Sequence, residues 1–294
     1  MKDNTFLILD GTALLHKHYY ATIPKALYRK KDMKMQIQHT SYGTYTNAIS
    51  SVLSSICSIL TACNPTYFCI CFEEEKDGPT PLLEQSKLLP QILSAIGIKV
   101  FNGNMDTQIH ALTSTFEKTC KIQIFTRKFS YLHFVSDYTT VYLMQTNELR
   151  LQALMGKYGM YNTFEHAYPF TPDVVKDFSG VFPHQILDLL TLSFVNSDAA
   201  KLLKQYGTIR EMFSDLEKMK ENHTYSEQMK IQWKDNGIRA YTFSKLMRDE
   251  NIEKIQEKIK DHPYKEIFIR EKIEDFIPEI NEQNLKNVRE ILEI

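Results

Sequence analysis

TFLILDGTALLHKHYYA, residues 5–21, passes from an apolar run of strand length, TFLILD, into an apolar and aromatic helix start, with the carboxylate of Asp10 at the junction. A continuous apolar run of this length suits a strand buried on both faces. The pattern recurs downstream. NAISSVLSSICSILTAC carries Ile49, Val52, Leu53, Ile56, Ile59 and Leu60 at helical spacing, and Asn64-Pro65 stops it because a residue before proline is pushed out of the helical region. TYFCICF, residues 66–72, is a second apolar strand running into the acidic triplet Glu73, Glu74, Glu75. LLEQSKLLPQILSAIGI predicts a helix with Pro90 as a local fault and Gly97 as its stop, and KVFNG predicts a third strand. IHALTSTFEKTC and KIQIFT repeat the pair. Strands alternating with helices imply an α/β fold, a largely parallel central sheet flanked by helices with its working site at the carboxyl ends of the strands. Asp10, Glu73, the turn at 103–106 and residues 126–128 all fall at such ends.

Beyond about residue 166 the texture becomes helical: TPDVVKDFSG, HQILDLLTLSF, SDAAKLLKQYG, IREMFSDLEKMKE and a charged tract at 250–260. Thr171-Pro172 has the pattern of an N-cap followed by proline at the first helical position. In the charged tract Ile252, Ile255 and Ile259 share one helix face, the mark of a solvated helix with an apolar stripe. The expected organisation is an α/β domain over 1–165 and a helical region over 166–294.

At 294 residues, 43% of them hydrophobic, the chain is long enough for a full core. Its 35 Lys+Arg against 36 Asp+Glu leave it near neutral, so a nucleic-acid partner must be met by a local basic stripe and not by total charge. The chain has no apolar run of about 18 residues and no secretory pattern at its start, which gives a cytoplasmic expectation without a membrane partner. The five cysteines form no CxxC pair, and Cys69 and Cys71 alternate onto one side of a strand. Buried reduced thiols are expected of all five in preference to a metal or disulfide role. No GxSxG motif or paired Cys-His signature supports a nucleophile scheme.

A strand ending LDG before LLHKHYYA, then NPTYFCICFE, then a glycine-bearing turn after the third strand, resembles the nuclease domain of bacterial DNA polymerase I and its stand-alone 5′→3′ exonuclease relatives, kin of flap endonucleases with a PIN-like domain. FTPDVVKDFSGVFPHQILDLLTL resembles that family's approach to its DNA-binding helical motif, and SDAAKLLKQYGTIREMF the helix after it. The resemblance covers nearly the whole chain and lies in order and spacing. It implies carboxylates at strand ends that bind two divalent metals, which generate the attacking hydroxide and stabilise the leaving oxygen of a phosphodiester. Mg²⁺ or Mn²⁺ is the implied cofactor, since hard cations take oxygen ligands. Asp10 matches the first acid of the family, and Glu73 matches the second with a longer arm.

Other positions depart. Where the family carries Glu-Ala-Asp-Asp, this chain has Met105, Asp106, Thr107, Gln108, with Asp106 as the surviving third acid. Where the family carries Thr-Gly-Asp-Lys-Asp, it reads Thr126, Arg127, Lys128, Phe129, Ser130. The Gly-Asp-Ser-Ser-Asp stretch and the glycine-rich hairpin are absent, because LTLSF runs almost directly into VNSDAAKLL. The arch segment FEEEKDGPTPLLEQ is short, with Lys76 as its cation. Two divalent ions would bring four positive charges to three acids, with Arg127 and Lys128 alongside. A cation ~6 Å from one such ion is repelled by about 5 kcal/mol at an effective dielectric of ~20.

Each residue therefore carries two readings. Asp10 is a metal ligand or the acid capping the helix that starts near Thr12. Glu73 is a ligand or part of a solvated acidic turn, and Asp106 a ligand, a turn residue or an N-cap. Arg127 and Lys128 are phosphate contacts of DNA or ordinary loop cations. His16 and His18, two apart, point away from each other on a helix and make no metal pair. Tyr19, Tyr20, Tyr42 and Tyr45 stack on an unpaired base or pack among themselves. The favoured expectation is a DNA-binding relative, on single-stranded or branched 5′-flap DNA, with impaired catalysis. The alternatives are an active divalent-metal-dependent 5′→3′ exonuclease and a pseudonuclease that binds a protein partner.

Overall fold

The computed structural model describes residues 4–23, 44–75, 77–144, 149–160, 166–192, 199–209 and 211. The expected helix at 250–260, the part of IREMFSDLEKMKE beyond residue 211, Tyr42 and Lys76 lie outside the described residues. The chain divides into two compact units, Met1–Arg127 with Thr163–Ala167 and Pro263–Ile294, and Lys128–Asn162 with Tyr168–His262.

In the first unit, β1 (Thr5–Asp10) lies parallel to β2 (Tyr67–Glu73) on one side and to β4 (Lys121–Thr126) on the other, and β2 pairs in parallel with β3 (Val100–Gly103). Phe6 to Leu9 are fully buried, as are Cys69, Ile70 and Cys71, which is why TFLILD and YFCICF are apolar on both faces. The connections are helical: α1 (Gly11–Thr22), α2 (Ile49–Cys63), α3 (Thr80–Ala95) and α4 (Met105–Phe116). Asn64 ends α2 in the left-handed region at φ 41, its N–H donating to Leu60 O, a C-cap that Asn tolerates. Ala48 gives α2 no side-chain cap. The buried Gln85 of α3 supplies one instead, its Oε1 accepting the Ala48 N–H at 3.0 Å while its Nε2 donates to Asn47 Oδ1 and Pro81 O. Pro90 sits within α3, and Gly97 follows its end at φ 87.

Gly11 is fixed by contact. A Cβ on it would stand 2.4 Å from Phe72 Cζ and 2.7 Å from Ile70 Cγ2, so α1 leaves β1 against the side chains of β2 only because residue 11 has none.

In the second unit a 3-10 turn (Phe129–Phe134) precedes β5 (Thr139–Met144), α5 (Leu149–Lys157), β6 (Ala167–Phe170), α6 (Pro172–Ser179), a short 3-10 turn (Pro183–Gln185), α7 (Ile186–Thr191) and α8 (Ala199–Tyr206). Within the first unit the strand order is β3-β2-β1-β4. β5 and β6 have no counterpart in the sequence reading. TTVYLM carries one strand's worth of alternation without glycine or proline on either side, and AYPF is short with a proline inside it, which demotes a strand signal. Among the described residues no helix is long and apolar enough to cross a membrane.

Two local expectations are corrected. Asp106 is not the N-cap of α4: Asn104 is, its side chain accepting the Thr107 N–H at 3.0 Å, while Asp106 sits in the first turn, where an acid favours the positive helix end. The thiols are all free, but not all buried. Cys69, Cys71 and Cys120 are buried, Cys63 is half-buried and Cys57 is exposed, because α2 turns Val52, Ser55, Ile56, Ile59 and Leu60 inward and Cys57 falls on the opposite face. Thr171 takes the N-cap position of α6 with Pro172 first in the helix, without a side-chain cap bond.

Candidate functional site

The register places the expected acids at strand ends. Asp10 stands opposite Cys71, Leu9 opposite Phe125, and Glu73 opposite Gly103. Thr126, one residue past Phe125, therefore comes level with Asp10. The Asp10 carboxylate is 1% exposed and uses both oxygens: Oδ1 accepts the Ala13 N–H at 2.8 Å, and Oδ2 accepts the Thr126 hydroxyl at 2.8 Å. The first bond caps α1. Burying a carboxylate is costly unless charge-assisted hydrogen bonds replace its water, and a helix N-terminus plus a buried hydroxyl supply them here.

Glu73 lies just outside this shell, with an exposed side chain. Its backbone N–H donates to Thr12 Oγ1 at 2.9 Å, so the first turn of α1 fastens the end of β2. Two residues on, Glu75 pairs with His16 Nε2 of α1. Its side chain is 10% exposed and its Oε2 is buried without a hydrogen-bond partner. His18 bonds Ser55 Oγ of α2 at 2.7 Å, so the two histidines serve different neighbours, as their spacing predicts. Tyr19 is fully buried edge-on to Tyr20, 5.2 Å between centroids. Burial, with Tyr20 and Tyr45 nearby, pushes its phenol up to about 12. Packing is thus the role of Tyr19, while Tyr20 is 38% exposed.

Asp106 stands three residues beyond Gly103, on α4 and half-buried. Arg127 follows Thr126 and is exposed. Lys128 holds its ammonium 5.5 Å from the Tyr131 ring centroid, within cation–π range. The structure joins Asp10 directly to Thr126 and ties Glu73 to α1 through its backbone, and it sets Asp106 in the first turn of α4. Thr12, Thr126 and the His16–Glu75 pair were missed as organisers of this edge. No local signal could have found Thr126 or the His16–Glu75 pair, since their partners lie 116 and 59 residues away.

No family model matches the chain. Over 246 residues it is 22% identical to DNA polymerase I of Bacillus caldotenax, covering 73% of this chain and 25% of that protein. Over 236 residues it is 24% identical to a 5′-3′ exonuclease of Mycoplasmopsis pulmonis, covering 74% of this chain and 71% of that one. The chain thus spans about a quarter of the polymerase and most of the exonuclease. Among solved structures, the flap endonuclease of bacteriophage T5, in a pseudo-enzyme-product complex with DNA and metal ions, superposes with a TM-score of 0.50 at 11% identity, covering 99% of this chain and 100% of that one. At that identity the superposition speaks for the fold, an α/β sheet flanked by helices.

Proposed function

Because the chain is a distant member of the 5′→3′ exonuclease and flap endonuclease family, we propose that it holds single-stranded or branched DNA with a 5′ flap, its phosphodiester hydrolysis weakened or lost. The Asp10 carboxylate carries the reading. A Mg²⁺ ligand must turn an oxygen toward an ion that keeps several waters, and a carboxylate 1% exposed, with each oxygen already accepting a bond, is built into the fold instead. A divalent ion, when bound in such nucleases, supplies an activated water and stabilises the leaving oxygen. The donor set here does not fit a two-metal centre: Asp10 is enclosed, Glu73 is exposed beyond it, Asp106 belongs to a helix turn, and Arg127 adds positive charge next to Thr126. The same Arg127, with Lys128 after it, suits a phosphate at the carboxyl end of a central strand. The T5 endonuclease complexed with DNA supports DNA as the partner class.

An active exonuclease using Mg²⁺ or Mn²⁺ is the second reading. It draws on relatives named for that activity and on Asp10, Glu73 and Asp106 near the ends of neighbouring strands. Incubating the purified full chain and its Asp10→Ala variant with either metal and a labelled 5′-flap duplex separates the two. The expected result is no cleavage above background by either protein. Cleavage by wild type that Asp10→Ala abolishes overturns the impaired reading.

A further inference from the structure

Within the second unit, the segment between α6 and α7 turns two aromatic rings outward. Phe182 is 48% exposed, and the exposed His184 ring lies 5.9 Å away with the planes 7° apart. Near-parallel rings at that separation form an offset stack, and both side chains stay exposed to solvent. The Lys176 ammonium stands over the Phe182 ring, 4.8 Å from its centroid, a cation–π distance, so a base that stacks on Phe182 moves this flexible side chain aside, toward its own phosphate.

The mount is rigid. Pro183, the buried residue between Phe182 and His184 in sequence, fixes its own φ. Gln185 donates its N–H to Phe182 O at 2.9 Å and accepts the Phe182 N–H on Oε1 at 3.0 Å. Its Nε2 donates to Gly207 O at 2.6 Å and Leu203 O at 3.3 Å, which fastens the turn to the end of α8. An aromatic surface held this way loses little conformational freedom on binding a flat partner. Nearby acid is already engaged. Asp177, next to Lys176, pairs with Lys157 Nζ and accepts the Tyr158 hydroxyl at 2.8 Å, bonds that hold its carboxyl below the usual range. The Asp173 charge acts on the same tyrosine.

We propose that Phe182 and His184 form a stacking shelf for an unpaired nucleobase of single-stranded DNA, with Lys176 beside it for the adjoining phosphate. The inference rests on the DNA-binding reading and adds the place where a base, as distinct from backbone, is held. Parallel rings with an adjacent cation match a strand that presents a π-face and a negative charge at each nucleotide. The shelf is tested with the full chain and an oligothymidylate carrying one 2-aminopurine, by following fluorescence quenching and anisotropy at several salt concentrations. Circular dichroism melts confirm that each variant folds. Phe182→Ala and Phe182→Leu each weaken binding roughly 5-fold to 100-fold and leave the slope of log K against log salt unchanged; Phe182→Tyr binds as wild type. If Phe182→Leu also binds as wild type while Phe182→Ala does not, the contact is merely apolar, a protein-type surface, and the shelf is wrong. Salt-dependent wild-type binding that no Phe182 variant alters overturns the shelf and leaves the phosphate reading standing. Absence of any wild-type binding overturns both.

Discussion

Thr126→Val tests what Asp10 is for, because it keeps the shape and β-branching of a strand residue while deleting one hydroxyl. Thr126 is fully buried and donates to Asp10 Oδ2 at 2.8 Å, so water cannot replace the lost bond. A hydrogen bond to a charged group contributes about 1.5–3 kcal/mol, and the extra buried methyl returns somewhat less than ~1 kcal/mol. The expected loss is thus about 1–2 kcal/mol. Asp10→Ala removes the α1 cap, about 1 kcal/mol, and takes from the buried Thr126 hydroxyl its charged acceptor, about 1–3 kcal/mol more, for a total of about 2–4 kcal/mol. In the double variant Thr126 no longer has a carboxylate to lose, so the two costs fail to add by about 1–2 kcal/mol. Urea unfolding followed by far-ultraviolet circular dichroism measures all four proteins, with equal slopes required for a valid comparison. Thr126→Val within 0.5 kcal/mol of wild type, or additive single and double variants, would refute the view that this carboxylate is committed to the fold.

Gly11→Ala places a Cβ 2.4 Å from Phe72 Cζ and should cost about 1–3 kcal/mol by overpacking; Gly11→Ala combined with Phe72→Leu should recover part of that loss in the same unfolding assay, and no recovery would place the strain elsewhere. Arg127→Ala with Lys128→Ala should weaken binding to single-stranded or flap DNA and flatten the dependence of log K on log salt by roughly 2 units; an unchanged slope removes both residues from the phosphate site. Thiol labelling of the native protein should reach the exposed Cys57 first. Burial pushes the Cys63 thiol up to about 12, so its reactive thiolate is scarce at neutral pH and its alkylation rate should climb steadily as pH rises toward that value. A Cys63 rate already level by pH 9 would contradict the burial argument. Cys69 is fully buried, and burial with Cys71 beside it raises its thiol well above the ordinary range, so labelling there should await unfolding.

The parallel sheet around β1 was legible in the sequence because burial on both faces demands unbroken apolar runs, and TFLILD and YFCICF are such runs, while KIQIFT is marked by its place after a helix and its alternating apolar residues. Helix ends were legible where backbone chemistry is local, as at Asn64-Pro65 and Gly97. The positions of Asp10, Glu73 and Arg127 at strand ends also followed from pattern alone. The cap that Asp10 places on α1 was one of its two sequence readings, but its second bond was not. Its second partner, Thr126, is 116 residues away, and only parallel pairing of β1 with β4 in one register brings the hydroxyl to the carboxylate. The Gly11–Phe72 contact, the His16–Glu75 pair and the Gln85 clamp on α2 share that property, since each joins groups whose separation in sequence carries no periodic signal. Even the shelf at Phe182 and His184, two residues apart, needed the structure: a Phe-Pro-His tripeptide says nothing of exposure or ring angle until Gln185 fastens the turn to α8. Sequence determines which surfaces must be buried, through solvent, whereas the partner of a buried polar group is decided by long-range register, where a bond of about 3 Å is made or missed by a shift of a single residue.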